Sequence, residues 1–282
     1  MLSQEQRERY QRNILIPGFG ESGQERLLDA SVCIIGLGGL GSSAALYLAA
    51  AGVGRLGLVD SDTLELSNLQ RQVLHATDRL GMSKARSAEM TLRALNPGLT
   101  LQTVQTRVTG ENAASLFSAY DLVVEATDNF AAKFLINDVC LECRTPFATA
   151  GILALAGQMM FVVPGKTPCL RCAVPVEPLG VPTTGELGVL GAVPGVLGSL
   201  EALAALRFLA GMWQPAADGS GAVLSVEGES LRWRTTRLPR NPSCRCATLW
   251  STSLLKTDWL SRAGRSGPAC SWARGNSPRA RR

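Results

Sequence analysis

The chain has 282 residues, 46% hydrophobic and 18% charged, with a formal net charge of +5. That is enough length and apolar content for one large α/β domain or two small ones, and it excludes disorder throughout. Seven of the 28 Lys and Arg but only one of the 23 acids follow residue 250, leaving 21 basic against 22 acidic side chains before it. The basic character therefore belongs to a tail, and the nearly neutral body gives no reason to expect a nucleic-acid partner.

The N-terminus, Met-Leu-Ser-Gln-Glu-Gln-Arg-Glu-Arg-Tyr, lacks the apolar core of a signal peptide, so the expected compartment is the cytoplasm. The apolar stretch Leu187 to Leu209 is interrupted by Pro194, Glu201, Arg207 and several glycines, and reads as a buried helix rather than a membrane span. No membrane partner is expected. Eight cysteines in a cytoplasmic chain point to metal ligation before disulfides.

In chain order, residues 3 to 30 read as a helical surface segment broken at Pro17-Gly18-Phe19-Gly20, with Arg9, Tyr10 and Arg12 exposed among polar neighbours. The apolar run Val32 to Ile35 then stops at a glycine cluster. Gly36, Gly38 and Gly41 fit G-x-G-x-x-G, and the helix expected over Ser42 to Ala51 would turn its N-terminus toward a phosphate. A second strand, Arg55 to Val59, ends in Asp60, 19 residues after Gly41, where dinucleotide folds place a carboxylate on ribose. Asp62 is the less favoured neighbour.

An amphipathic helix is expected over Ser83 to Leu95, stopped by Asn96-Pro97, then a strand at Thr100 to Thr106. The strand Leu122 to Ala126 runs into Thr127-Asp128-Asn129 and a helix from Phe130 to Glu142. Strands at Thr145 to Ala150 and Gly157 to Val163 follow, then a Pro/Gly-rich loop over 173 to 194, a helix from Gly195 to Ala210 and a hairpin-like pair near 222 to 237. The expected fold is α/β: a Rossmann-like, mostly parallel sheet flanked by helices, with an antiparallel extension. After Cys246 no periodicity could pack, and 251 to 282 reads as a basic disordered tail, more simply solvated than bound to a partner.

A glycine motif alone would most often mean an NAD or FAD enzyme. Here Ser67-Asn68-Leu69-Gln70-Arg71-Gln72, Lys84 and Thr127-Asp128-Asn129 bring two cations and a carboxylate to the C-terminal ends of the strands. Hydride transfer needs none of these charges, whereas attack of a carboxylate on a nucleotide α-phosphate does, because two anions must approach and pyrophosphate must leave. Arg71 and Lys84 would neutralise the phosphates and Asp128 would hold the bridging magnesium. Each residue alone is ordinary; their joint order after the glycine loop carries the inference. The alternatives are a nicotinamide-dependent oxidoreductase on the same loop and a non-catalytic binding module that keeps the fold without turnover.

With these residues in place the chain resembles the MoeB/ThiF/HesA family, bacterial relatives of ubiquitin-activating enzymes, over residues 3 to 246. The matching motifs are Arg9-Tyr10-Gln11-Arg12-Asn13, the loop Gly36 to Gly41, Asp60, Ser67 to Arg71, Gly81-Met82-Ser83-Lys84, Thr127-Asp128-Asn129 and Gly198-Ser199-Leu200-Glu201-Ala202. The resemblance implies Mg-ATP-dependent adenylation of the C-terminal Gly-Gly carboxylate of a ubiquitin-like sulfur-carrier protein, inside a homodimer. It implies that Arg12 reaches the partner subunit's ATP, that Asp60 binds ribose, that Gly39, Ser67, Asn68, Leu69, Gln70, Arg71 and Lys84 meet the phosphates, and that Asp128, beside Asn129, meets the metal. It divides residues 1 to 250 into N-terminal helices (1 to 30), a nucleotide-binding half (31 to 150) and a carrier-binding and zinc half (151 to 250).

Cys169-Leu-Arg-Cys172 is half a zinc site. The resemblance implies a second C-x-x-C near the end, yet here it reads Cys244-Arg-Cys246, one residue short, so the site is strained, borrows Cys270 or is lost; structural zinc is the expectation. Cys33, Cys140 and Cys143 read as packing residues. The loop in which family members often carry a sulfur-linking cysteine reads Thr183-Thr184-Gly185-Glu186, with no cysteine from Ala173 to Arg240. That favours an activator of the molybdopterin-synthase type over a persulfide-forming one, and the tail is too short to fold as a sulfurtransferase domain. His75 reads as structural, since a carboxylate at pH 7 needs no base.

Overall fold

The computed structural model describes residues 1–248, and the expected tail lies outside them. Among the described residues one sheet runs in the order β3-β2-β1-β4-β5-β6-β7-β8. Its parallel part is β1 (Ser31–Ile35), β2 (Arg55–Val59), β3 (Thr100–Val104), β4 (Leu122–Glu125) and β5 (Phe147–Leu153). The antiparallel extension adds β6 (Ala156–Val162), β7 (Gly221–Glu227) and β8 (Arg232–Leu238). The expected mostly parallel sheet with an antiparallel end is therefore the observed one.

The central strand explains the arrangement. Every residue of β1 is buried, because Val32 and Ile34 face one apolar core while Cys33 and Ile35 face the other. Helices α4 (Gly39–Ala51), α5 (Lys84–Leu95) and α10 (Ala192–Leu209) cover the first face, and α6 (Ala113–Ser118) and α7 (Phe130–Cys143) the second. The short helices are α1 (Gln4–Arg9), α2 (Gln11–Ile14), α3 (Gly20–Asp29), α8 (Leu170–Ala173), α9 (Thr184–Leu187) and α11 (Arg245–Thr248).

Small residues let α10 lie against α4. A Cβ on Gly198 would sit 2.1 Å from the Leu40 carbonyl oxygen and 2.3 Å from Ser43 Oγ, so the helices meet at backbone contact there. By length and composition α10 could cross a membrane, but it packs on α4, β5 and β6 as a core helix. That tight seat is the physical reason for the glycine in the Gly198 to Ala202 motif.

The structure differs from expectation in a few places. Residues 3 to 30 form three short helices, with the expected break at Pro17 to Phe19 and a further one at Tyr10, and Tyr10, expected on the surface, is 4% exposed. Its ring closes over Gly52, and its hydroxyl accepts from Asn96 Nδ2 at 2.9 Å, which a polar-neighbour pattern cannot reveal. Helix α6 was not anticipated; its six residues are too few to show a period. The expected loop over 173 to 194 contains α9 and the first turn of α10, with Pro194 in that turn, where a missing N–H costs nothing.

Candidate active site

The parallel register brings the two turns of interest side by side. Ile35 at the end of β1 pairs with Glu125 at the end of β4, and β2 lies on the other side of β1, so the strand order reverses here. Gly36 has φ 90°, and a Cβ on it would lie 2.6 Å from the Ala126 carbonyl oxygen; a Cβ on Gly41 would lie 1.9 Å from the Gly36 oxygen. Gly38 precedes α4 without a side-chain cap, which leaves that helix's first N–H groups for an anion. A Cβ on Gly39 would meet Pro194 at 2.9 Å and Arg71 Cγ at 3.6 Å.

Asp60 binds the loop directly: its Oδ2 accepts from Leu37 N at 2.7 Å and its Oδ1 from Asp62 N at 2.8 Å. Lys84 opens α5, is 9% exposed, and donates to Asp62 Oδ2 at 3.0 Å. Partial burial works against ionisation of Asp62, and the hydrogen bond and charge of Lys84 outweigh it, holding that carboxyl below the usual range. The less favoured acid of the pair is thus the partner of Lys84.

Arg71 is half-buried and donates to the Ser67 carbonyl at 3.1 Å. Ser67 and Gln70 are exposed, Leu69 is half-buried and Asn68 is buried. Asp128 is exposed beyond β4, and Asn129 caps α7 by accepting from Ala132 N at 2.9 Å. The structure therefore gathers Gly36, Gly38, Gly39, Gly41, Asp60, Arg71 and Lys84 around one turn, with Asp128 at the end of the neighbouring strand. Arg12 is exposed on α2 and makes no ion pair among the described residues.

Residues 10–246 match the ThiF family. The chain belongs to the ThiF family. It is 41% identical to "Adenylyltransferase and sulfurtransferase MOCS3" of Drosophila sechellia over 239 residues, 84% of this chain and 52% of that protein. Its identity to the Xenopus laevis protein of the same name is 39% over 252 residues, 88% and 55%. The chain thus spans about half the length of the curated relatives it matches. Its fold resembles Escherichia coli MccB, with a TM-score of 0.76 at 22% identity over 91% of this chain and 77% of that one. The MccB structure with ATP gives a TM-score of 0.71 at 22% identity over 81% and 70%.

In this ThiF-family chain the Cys244-Cys246 spacing closes. The Sγ atoms of Cys169, Cys172, Cys244 and Cys246 all lie within 4.8 Å of one another, with Cys169 to Cys244 at 3.6 Å and Cys172 to Cys246 at 3.4 Å. Tetrahedral zinc with bonds of about 2.3 Å needs sulfurs about 3.8 Å apart, so the four thiols fit such an ion. Among these mutually hydrogen-bonded thiols, the bonds from Cys169 and Cys246 push the Cys172 thiol below its ordinary range. The short spacing still brings all four thiols together, with Cys244 just before α11 and Cys246 in its first turn, and Cys270, outside the described residues, is not needed. Cys33 and Cys140 are buried and Cys143 half-buried, as packing residues; burial pushes the Cys33 thiol up to about 12.

Sequence reasoning missed a polar cluster under the Asp128 turn. Glu125 is buried and accepts from Lys133 Nζ at 2.9 and 3.1 Å, from Thr127 N at 2.8 Å, and from the hydroxyls of Thr127 and Thr149. It pins the turn that presents Asp128. Its only sequence signal is an acid ending an otherwise apolar strand.

Beside this pair Glu201 on α10 is fully buried, and neither carboxyl oxygen has a partner. Burial, then the Glu125 charge, raise its pKa well above the ordinary value, against the pull of Lys133, which favours the protonated form. The folded state keeps this proton while the unfolded chain loses it near pH 4.3, so stability falls as pH rises from there toward the folded value. Glu201→Leu is therefore expected to stabilise the protein by about 1–3 kcal/mol at pH 7 to 8, a gain that shrinks below pH 5. Melting curves of both proteins across that range check it, and a difference independent of pH would refute the neutral buried acid.

Proposed function

We propose that this chain uses Mg-ATP to adenylate the C-terminal Gly-Gly carboxylate of a ubiquitin-like sulfur-carrier protein of the MoaD or ThiS type, releasing pyrophosphate. The convergence of the glycine loop, Asp60, Lys84 and Asp128 at the C-terminal ends of β1, β2 and β4 carries this reading. It is supported by relatives named adenylyltransferase and by a fold neighbour solved with ATP.

A carrier carboxylate oxygen forms a bond to the α-phosphorus while the bond from that phosphorus to the bridging oxygen of pyrophosphate breaks, giving an acyl adenylate. The carboxylate is ionised at neutral pH, so no base is required. The N–H groups at Gly38 and Gly39, with Lys84 and Arg71, meet the phosphate charge, and Asp60 accepts from ribose hydroxyls while keeping its bond to Leu37. Asp128 is the residue that would hold magnesium, which supplies charge neutralisation on the departing pyrophosphate. Catalysis then rests on positioning and electrostatics.

Zinc in the four-cysteine cluster would be structural, tying α8 to the end of the described chain, and thiolate ligation suits a reducing, cytoplasmic setting. A homodimer would bring Arg12 of one copy to the other's nucleotide. Tyr47 on α4 and Leu203 on α10, 57% and 52% exposed on neighbouring helices, suit such an interface. Molybdenum cofactor and thiamine synthesis both use carriers of this kind.

The test is exchange of labelled pyrophosphate into ATP with a purified carrier ending in Gly-Gly. Exchange that depends on the carrier and on its terminal glycines is expected. Binding of NAD in place of ATP, measured by calorimetry, would favour the oxidoreductase reading and overturn this one.

A further inference from the structure

The proposed reaction leaves the only histidine, His75, without a role. It is 8% exposed and bridges two elements of the site. Its Nε2 lies 2.9 Å from the Leu37 carbonyl oxygen, and its Nδ1 lies 2.9 Å from Ser87 Oγ on α5. A carbonyl only accepts, so Nε2 carries the proton, and Nδ1 of the neutral ring accepts from the Ser87 hydroxyl.

Leu37 sits between Gly36 and Gly38, and its N–H is the one held by Asp60. Both polar groups of this loop residue are therefore tied down, one to Asp60 and one through His75 to the helix that begins with Lys84. The ties form a closed circuit. Asp60 accepts from Asp62 N, Asp62 accepts from Lys84 Nζ, and Lys84 stands three residues before Ser87, on the same face of α5.

We propose that His75 is a positioning residue for the nucleotide, locking the glycine turn to the lysine-bearing helix so that the loop N–H groups and the Lys84 ammonium keep a fixed spacing for the phosphates. The role rests on the nucleotide reading of this site. A rigid spacing matters because a triphosphate must meet both elements at once, and a loop left to shift by an ångström would have to be ordered on binding. The neutral ring suits the task. Burial pushes its pKa down, the Leu37 hydrogen bond and the Asp60 charge oppose, and the Lys84 and Arg79 charges add to the lowering.

One imidazole in the chain makes the test direct: in the full-length, tag-free protein, long-range proton–nitrogen correlations report His75 alone. The Nε2–H tautomer at pH 7 and a titration midpoint below about 6.5 are expected. By calorimetry, His75→Ala is expected to weaken ATP binding about tenfold, while His75→Gln, whose amide nitrogen can still donate to Leu37, recovers most of it. Ser87→Ala, which frees Nδ1 without touching the loop, is expected to fall between them and carries the comparison if His75→Ala does not fold. An Nδ1–H tautomer, or variants that lower the melting temperature yet bind ATP like the wild type, would overturn the proposal. Wild-type protein with the expected tautomer that binds no ATP would overturn the nucleotide reading itself and reduce the clamp to packing.

Discussion

Lys84→Ala and Asp128→Ala are each expected to lower carrier-dependent pyrophosphate exchange by about 10²–10³-fold, the usual effect of deleting one group aimed at developing charge. For Lys84 the loss should appear at saturating ATP as well, because charge builds on the leaving pyrophosphate beyond what the ground state carries. The fold should survive: the Asp62 side chain left behind is 59% exposed and can be solvated by water. Lys84→Met, which keeps the volume of the buried stem, separates the charge from the packing. Asp128 is exposed, so its replacement should leave the melting temperature unchanged and raise the magnesium needed for half-maximal exchange. Unchanged exchange in both alanine variants would sink the assignment of this site to adenylation.

Removing metal from the four-cysteine cluster is the second large effect. One zinc per chain is expected by elemental analysis. The ion would tie Cys172 to Cys244, closing a long loop whose entropy alone corresponds to about 4 kcal/mol. At about 2–4 °C per kcal/mol for a domain of this size, chelation or Cys172→Ser should lower the melting temperature by about 10 °C or more. The nucleotide loop lies elsewhere on the sheet, so ATP binding at low temperature should persist in the variant. A chain that purifies without metal and melts identically with and without chelator would show that the thiols form no metal site.

Much of the fold is legible because the central strands β1, β2 and β4 are short apolar runs ended by glycine or acid, and helices announce caps such as Ser83 and Asn129. Tyr10 reads as exposed because its neighbours in sequence are polar, while its neighbours in space are Gly52 and Asn96. The Asp60 position follows from its spacing after the glycine loop, and Lys84 from its order behind that loop. The Asp62 contact to Lys84 follows from neither, since an acid two residues past a strand end faces either way. The meeting of Glu125, Lys133 and Glu201 is silent in the sequence for the same reason: a buried polar cluster joins a strand, a helix turn and a distant helix, and no local period records it.

By itself, then, the sequence determined the glycine turn, the βαβ unit around it and the order of charged residues behind it, because these depend on local backbone chemistry and on spacing along single elements. Tertiary structure decided whether Cys244 and Cys246 could join Cys169 and Cys172, which acid holds Lys84, and that His75 spans the loop and α5. Each of those is a meeting of side chains from separate segments, fixed by how α5, α10 and the C-terminal segment pack on the sheet, and packing distance is not written in sequence spacing.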